Sequence, residues 1–180
     1  MKKLMFLSLM ALGLAGTLLI GAAQLQTAPK GAAKVSASEG SGKAAPNFSY
    51  IDIKGNKLSL ASLKGKVTIV DQWATWCGPC KKEIPAFASL KKEFGNNLEI
   101  IGVSYDDDQV TVEEFLKNNP VGQQINYSVV FGTGKKDAFG EPEALPTTYF
   151  IDKQGRVRKQ EVGAISAENI KKLVKQLLAE

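Results

Sequence analysis

The sequence predicts one three-layer α/β domain on a mixed central sheet. Apolar, β-branched runs alternate with segments of helical period. The chain then closes with a hairpin and an amphipathic helix. Residues 46–180 are enough for a single core.

The elements follow in order. "FSYIDIKGNKLSL" (48–60) alternates around Gly55-Asn56 and reads as a hairpin or two short edge strands. "ASLKGK" is a turn into "VTIVDQW" (67–73), a β-branched run fit for a buried central strand. From Gly78 to Phe94 the period becomes helical, with Ile84, Phe87, Ala88 and Phe94 on one face. Pro85 lies inside that helix and should kink it. "LEIIGVSYD" (98–106) is a second buried strand, "VTVEEFLKNNP" (110–120) a short helix, and "INYSVVF" (125–131) a third strand. "KKDAFG" (135–140) is expected to form a helical turn. "TTYFID" (147–152) and "RVRKQEVG" (156–163) form the hairpin, and "SAENIKKLVKQLLAE" the last helix, with Ser166 as its N-cap.

Ahead of the domain, "MKK" precedes Leu4–Ala23, an uncharged, mostly apolar run in the order of an export signal. Gly21-Ala22-Ala23 offers small residues for cleavage before Gln24. The run is also long enough to cross a bilayer, which takes roughly 20 residues. Residues 1–23 are therefore a signal peptide or an N-terminal membrane anchor. No cysteine follows the run, which excludes a lipid-modified cysteine. Residues 24–45 hold almost no large apolar side chain and read as a flexible linker.

Setting aside Lys2, Lys3, Lys30, Lys34, Lys43 and Glu39 takes the 23 basic and 18 acidic side chains to 18 and 17. A domain so nearly neutral is no nucleic-acid binder by charge. The basic excess sits in leader and linker, where it favours an anionic membrane surface.

Cys77 and Cys80 are the only cysteines, and the chain has no histidine. They follow a buried strand and open a helix. At a helix N-terminus, unpaired N–H groups and the macrodipole favour negative charge, so Cys77 should ionise readily. Its thiolate can attack a disulfide, and Cys80 can resolve the mixed disulfide. Gly78 and Pro79 suit the sharp helix entry. A structural disulfide would gain more from a longer loop. A zinc site needs about four ligands, which this chain cannot supply, so no metal is expected.

"WCGPC" between "VDQWAT" and "KKEIP", with "LPTTYFID" later, resembles the thioredoxin superfamily. The longer pattern "APNFSYIDIKGNKLSLASLKGKVTIVDQWATWCGPCKKEIP" resembles the exported TlpA/ResA-like thiol-disulfide oxidoreductases of the redoxin group. The resemblance implies a thioredoxin-like three-layer α/β/α fold, with an N-terminal hairpin extension and a helix and strand inserted before a cis-proline. It makes Cys77 the nucleophile, Cys80 the resolving thiol and Trp76 an apolar platform. It makes Pro146 the cis-proline, with the Leu145 backbone able to pair with an extended substrate. Two acids compete to move the proton. Asp71 matches a buried aspartate beneath the disulfide, and Glu83 matches a glutamate of the ResA-like group, three residues after Cys80. Asp71 is the first choice and Glu83 the second.

Gln72 departs from the family's usual apolar residue, and its amide needs partners if buried. Asp106-Asp107-Asp108 lacks the ligand spacing of a calcium loop and reads as a solvated strand end and helix start. The implied function is reduction of protein disulfides on the periplasmic side of a bacterial envelope, with apocytochrome c among the plausible substrates. No cofactor is implied beyond the Cys77–Cys80 disulfide. The implied partners are protein disulfides and a membrane electron donor of the DsbD/CcdA type, with no nucleic acid. A disulfide oxidase or isomerase shares every one of these residues. A thiol peroxidase fits less well, because Thr75 stands only two residues before Cys77 and the preceding strand has no proline.

Overall fold

The structure is a computed structural model that describes residues 42–132 and 137–180. The expected leader, residues 24–41 of the expected linker, and Lys135-Lys136 lie outside the described residues. Among the described residues, no helix is long and apolar enough to cross a membrane. The chain runs through β1 (Lys43–Ala44), β2 (Ser49–Ile51), β3 (Lys57–Ser59) and β4 (Val67–Trp73) into α1 (Gly78–Phe94). Then come β5 (Leu98–Ser104), α2 (Gln109–Asn118), β6 (Ser128–Phe131), β7 (Thr147–Ile151), β8 (Arg156–Val162) and α3 (Ala167–Ala179).

The main sheet has the order β1-β8-β7-β4-β5-β6. β4, β5 and β6 run parallel, whereas β4–β7, β7–β8 and β8–β1 are antiparallel, so the sheet is mixed as expected. All seven residues of β4 are buried, as a central strand with a neighbour on each side and both faces covered requires, Thr68, Asp71 and Gln72 included.

Alternation along β4 divides the core. Val67 and Ile69 pack with Phe87 and Leu90 of α1 and with Ile170, Val174 and Leu177 of α3. Trp73 continues that face and meets Ile84 of α1 and Val112 and Phe115 of α2, the Trp73 and Phe115 rings lying 5.7 Å apart. Val70 points the other way, toward Phe48, Leu63 and Tyr149. That second face is covered by the β2–β3 hairpin, a 3₁₀ turn at Ala61–Leu63 and a turn at 137–140.

The two hairpins share one turn chemistry. Asp52 Oδ1 accepts from the Lys54 and Asn56 N–H groups, and Asp152 Oδ1 from those of Gln154 and Arg156. Gly55 and Gly155 supply the left-handed φ of +85° and +81°. The cap of the last helix is as expected: the Ser166 side chain accepts the Asn169 N–H at the start of α3.

Two expectations are corrected. The linker was expected to run to Ala45, but Lys43–Ala44 pair with β8, and the Ala45 N–H donates to Gly155 O. The small residues that suggested a tether are what allow this close approach. A Cβ on Gly42 would lie 2.7 Å from Val157 O. The expected helical turn at 135–140 is, over its described part, a tight turn closed by Gly140 N–H on Asp137 O, with Gly140 at φ +91°.

Gly102 of β5 stands beside Asp71 in the ladder. A Cβ there would lie 2.9 Å from Trp73 Nε1 and 3.5 Å from the Tyr127 ring. Gly102→Ala is expected to cost about 1–3 kcal/mol by overpacking. The check is a lower urea midpoint at an unchanged slope.

Candidate active site

β4 delivers the chain to the start of α1, and the last residue before the helix is Cys77. Its backbone is extended (φ −78°, ψ 107°), and its Sγ accepts the Cys80 N–H at 3.2 Å. A sulfur therefore occupies the position where a serine or aspartate oxygen normally satisfies a free helix N–H. The Cys77 and Cys80 sulfurs are joined as a disulfide, with Cα atoms 5.4 Å apart. Both cysteines are nearly sealed, at 5 % and 1 % exposure, while Trp76 beside them is 67 % exposed. Pro79 occupies the first turn, where its missing N–H costs nothing. A Cβ on Gly78 would meet nothing within 4 Å, so no clash demands glycine there.

The loop into Cys77 is held by a residue that the sequence pattern assigned to solvent. Asp106 is buried at the end of β5, and its carboxylate accepts from Thr75 N–H at 3.0 Å, Thr75 Oγ1 at 2.6 Å and Ser104 Oγ at 2.7 Å. The acidic triplet divides accordingly. Asp106 clamps the loop, Asp107 is exposed, and Asp108 caps α2 by accepting the Thr111 N–H and hydroxyl. The exposed half of the triplet matches the expectation, and Asp106 corrects it: its neighbours supply donors enough to offset its burial.

The Leu145–Pro146 peptide bond is cis, and Pro146 is buried. Leu145 packs against the cluster that holds Cys77, Cys80 and Trp73. Between Trp76 and this loop lies a groove of about 430 Å³, lined also by Tyr105, Asp107 and Glu141. The expected platform, dithiol and proline loop thus meet at one end of the sheet.

Both competing acids are buried, Asp71 on β4 and Glu83 on α1 three residues after Cys80. Asp71 is 2 % exposed and Glu83 3 %. Asp71 accepts one hydrogen bond, from Thr148 Oγ1 at 3.1 Å. Glu83 Oε1 accepts the Ile165 N–H at 2.5 Å, and its Oε2 has no partner. Burial first, and the Glu83 charge second, push the Asp71 carboxyl up to about 8 against the Thr148 hydrogen bond. Burial raises Glu83 to about 7, against the Ile165 hydrogen bond. Asp71 is mostly protonated near neutral pH, and Glu83 is shared between its two forms. Tyr127, on the same face, is raised well above its usual value by burial and by the charges of Asp71 and Glu83.

Gln72 faces away from this pair. Its Nε2, with two protons to give, lies within hydrogen-bond distance of Tyr105 Oη at 3.1 Å, the Asp137 carboxylate at 3.1 Å and Gly140 O at 3.0 Å. Sequence reasoning missed Thr148, Tyr127, Ile165 and the clamping role of Asp106. Thr148 and Tyr127 become neighbours of Asp71 only through strand pairing. The Ile165 contribution is a backbone N–H, which leaves no mark in a side-chain pattern.

The chain matches the AhpC/TSA family over residues 41–160. The thiol-disulfide oxidoreductase ResA of Bacillus subtilis (strain 168) is 38% identical over 142 residues, covering 77% of this chain and 75% of that protein. ResA of Bacillus anthracis is 34% identical over 139 residues, covering 76% and 78%. Among solved structures, a thiol:disulfide interchange protein of the thioredoxin family from Chlorobium tepidum matches with a TM-score of 0.65 at 31% identity. That match covers 76% of this chain and 97% of the other. The expected thioredoxin-like α/β fold is the fold of this chain.

The raised carboxyls make stability depend on pH. Asp71 moves from 3.8 unfolded to about 8 folded, and Glu83 from 4.5 to about 7. Between those values the folded state binds more protons, so the stability the two groups contribute is full below about pH 4 and lost as pH rises to 8. Asp71→Asn should therefore be the more stable protein at pH 8, by more than about 1 kcal/mol, since a tenfold change in proton affinity is worth about 1.4 kcal/mol. The advantage should shrink toward pH 4.5, as read from urea midpoints at the two pH values.

Proposed function

We propose, from the premise that the chain belongs to the AhpC/TSA family as a ResA-like thiol-disulfide oxidoreductase, that it reduces protein disulfides outside the cytoplasm. The observation that carries this reading is the Cys77 sulfur at the start of α1, joined to Cys80 as a disulfide. In the reduced protein the Cys77 thiolate, favoured by the Cys80 N–H and the helix terminus, attacks one sulfur of the substrate. The substrate disulfide breaks, and its departing thiolate takes a proton from solvent. The ionised fraction that carboxyls titrating near 7 and 8 keep at neutral pH, on Glu83 or Asp71, accepts the Cys80 proton, and the Cys80 thiolate attacks Cys77 Sγ. The second substrate thiol leaves, and two electrons have moved from the dithiol to the substrate.

Trp76 and Leu145 line the groove in which an extended substrate segment would lie; Gly78 and Pro79 are exposed between the two cysteines. The chemistry needs no cofactor beyond the disulfide. Return to the dithiol requires an electron donor, and for an exported protein that donor is a membrane protein of the DsbD/CcdA type. The leader read at residues 1–23 supports the periplasmic side of the envelope, with the protein released or tethered. Client disulfides would be those of cytochrome c maturation or of general extracytoplasmic thiol homeostasis.

The Gly-Pro pair between the cysteines favours reduction over oxidation, as in reducing thioredoxins. Two measurements test the reading. Wild-type protein with dithiothreitol should reduce insulin, and Cys77→Ser should not; an unchanged rate in that variant contradicts the mechanism. The Cys77–Cys80 potential should lie nearer the thioredoxin value of about −270 mV than the DsbA value of about −120 mV. A value near the latter makes the protein an oxidase.

A further inference from the structure

The geometry points to Gln72 as a positioning residue that sets the wall of the substrate groove. This rests on the disulfide-reducing reading above. Gln72 is fully buried in the central strand and directed away from Asp71, toward the turn at 137–140. Its Nε2 contacts a carboxylate and a carbonyl, groups that can only accept, so the amide nitrogen must face them. Tyr105 completes the knot. Its hydroxyl receives the Gln72 N–H and donates to Gly140 O at 3.0 Å. Asp137 also accepts the Phe139 N–H at 2.7 Å, which closes the turn.

Gln72 holds both ends of the loop 141–146. Its side chain fixes Gly140, the residue just before the loop. Its backbone pairs with Thr147, the residue just after. Thr147 in turn donates its hydroxyl to Ala144 O at 2.7 Å. Between those anchors, Glu141, Pro142, Ala144 and Leu145 form one wall of the groove that faces Trp76, and Tyr105 is both part of the knot and part of the lining. The amide is a poor choice for stability. Its Oε1 is buried without a partner, which costs stability. An apolar side chain in a central strand avoids that cost but cannot hold the loop.

The test compares a large and a small disulfide. Gln72→Leu and, separately, Asp137→Ala are assayed on fluorescently labelled insulin and on 5,5′-dithiobis(2-nitrobenzoate), with folding checked by circular dichroism. Each variant should raise KM for insulin by about 5-fold or more, with kcat, the rate on the small disulfide and the Cys77–Cys80 potential within twofold or unshifted. The double variant should be no worse than the poorer single one, because both remove the same anchor. Should Gln72→Leu not fold, Asp137→Ala carries the test. An unchanged insulin KM overturns the assignment. So does an equal loss on both substrates, or a shifted potential, which would place the effect at the disulfide. Wild-type protein that reduces neither substrate overturns this assignment and the redox reading together, and only that result reaches the latter.

Discussion

Asp71 sits in the middle of a strand that is paired on both sides, to Gly102 of β5 and Thr148 of β7, and the pairing leaves its carboxyl nowhere else to point. Gly102 offers no side chain and Thr148 a single hydroxyl. The nearest charge is another carboxylate, that of Glu83. An ionised acid so placed loses hydration without gaining a cation, and the cheaper answer is to keep the proton. α1 begins over this strand, and Cys80 and Glu83 stand three residues apart along it, on adjoining positions of one helical face. Pairing of β4 thus fixes a buried carboxyl in the strand that leads to the two sulfurs.

That arrangement is made at the expense of stability. The buried side-chain N and O atoms left without a partner among the described residues are Gln72 Oε1, Trp73 Nε1 and Glu83 Oε2. All three belong to β4 or to the second turn of α1. Elsewhere the molecule satisfies its buried acids thoroughly. Asp52, Asp106 and Asp152 each accept at least three hydrogen bonds. These departures from good hydrogen bonding lie on the two elements that flank the Cys77–Cys80 disulfide. The surroundings compensate with rigid supports: Asp106 pins Thr75 ahead of Cys77, and the Gln72 knot pins the loop ahead of Pro146.

Much of this was legible in the sequence, for identifiable reasons. β4, α1 and α3 carry periods that hold over more than a turn or a pleat, and their bounds came within a residue or two. The two cysteines, Asp71, Glu83 and Pro146 were marked by motif; the structure buries all five and packs Leu145, the neighbour of Pro146, against the cluster that holds both cysteines. What stayed hidden depends on contacts between distant segments. β1 forms through its backbone, and its small side chains imitate a linker. The three aspartates at 106–108 look alike until β5 ends and buries the first. The direction of Gln72 follows from sheet register alone, since a shift of one residue exchanges the two faces.

The central claim is that the buried acids Asp71 and Glu83 titrate near neutral pH, and carbon-13 NMR of their labelled carboxyls in the oxidised protein tests it most directly. Because the two interact, the midpoints belong to the pair. The account predicts that they titrate near 7 and 8. Midpoints for both near 4, the ordinary carboxylate range, would contradict it.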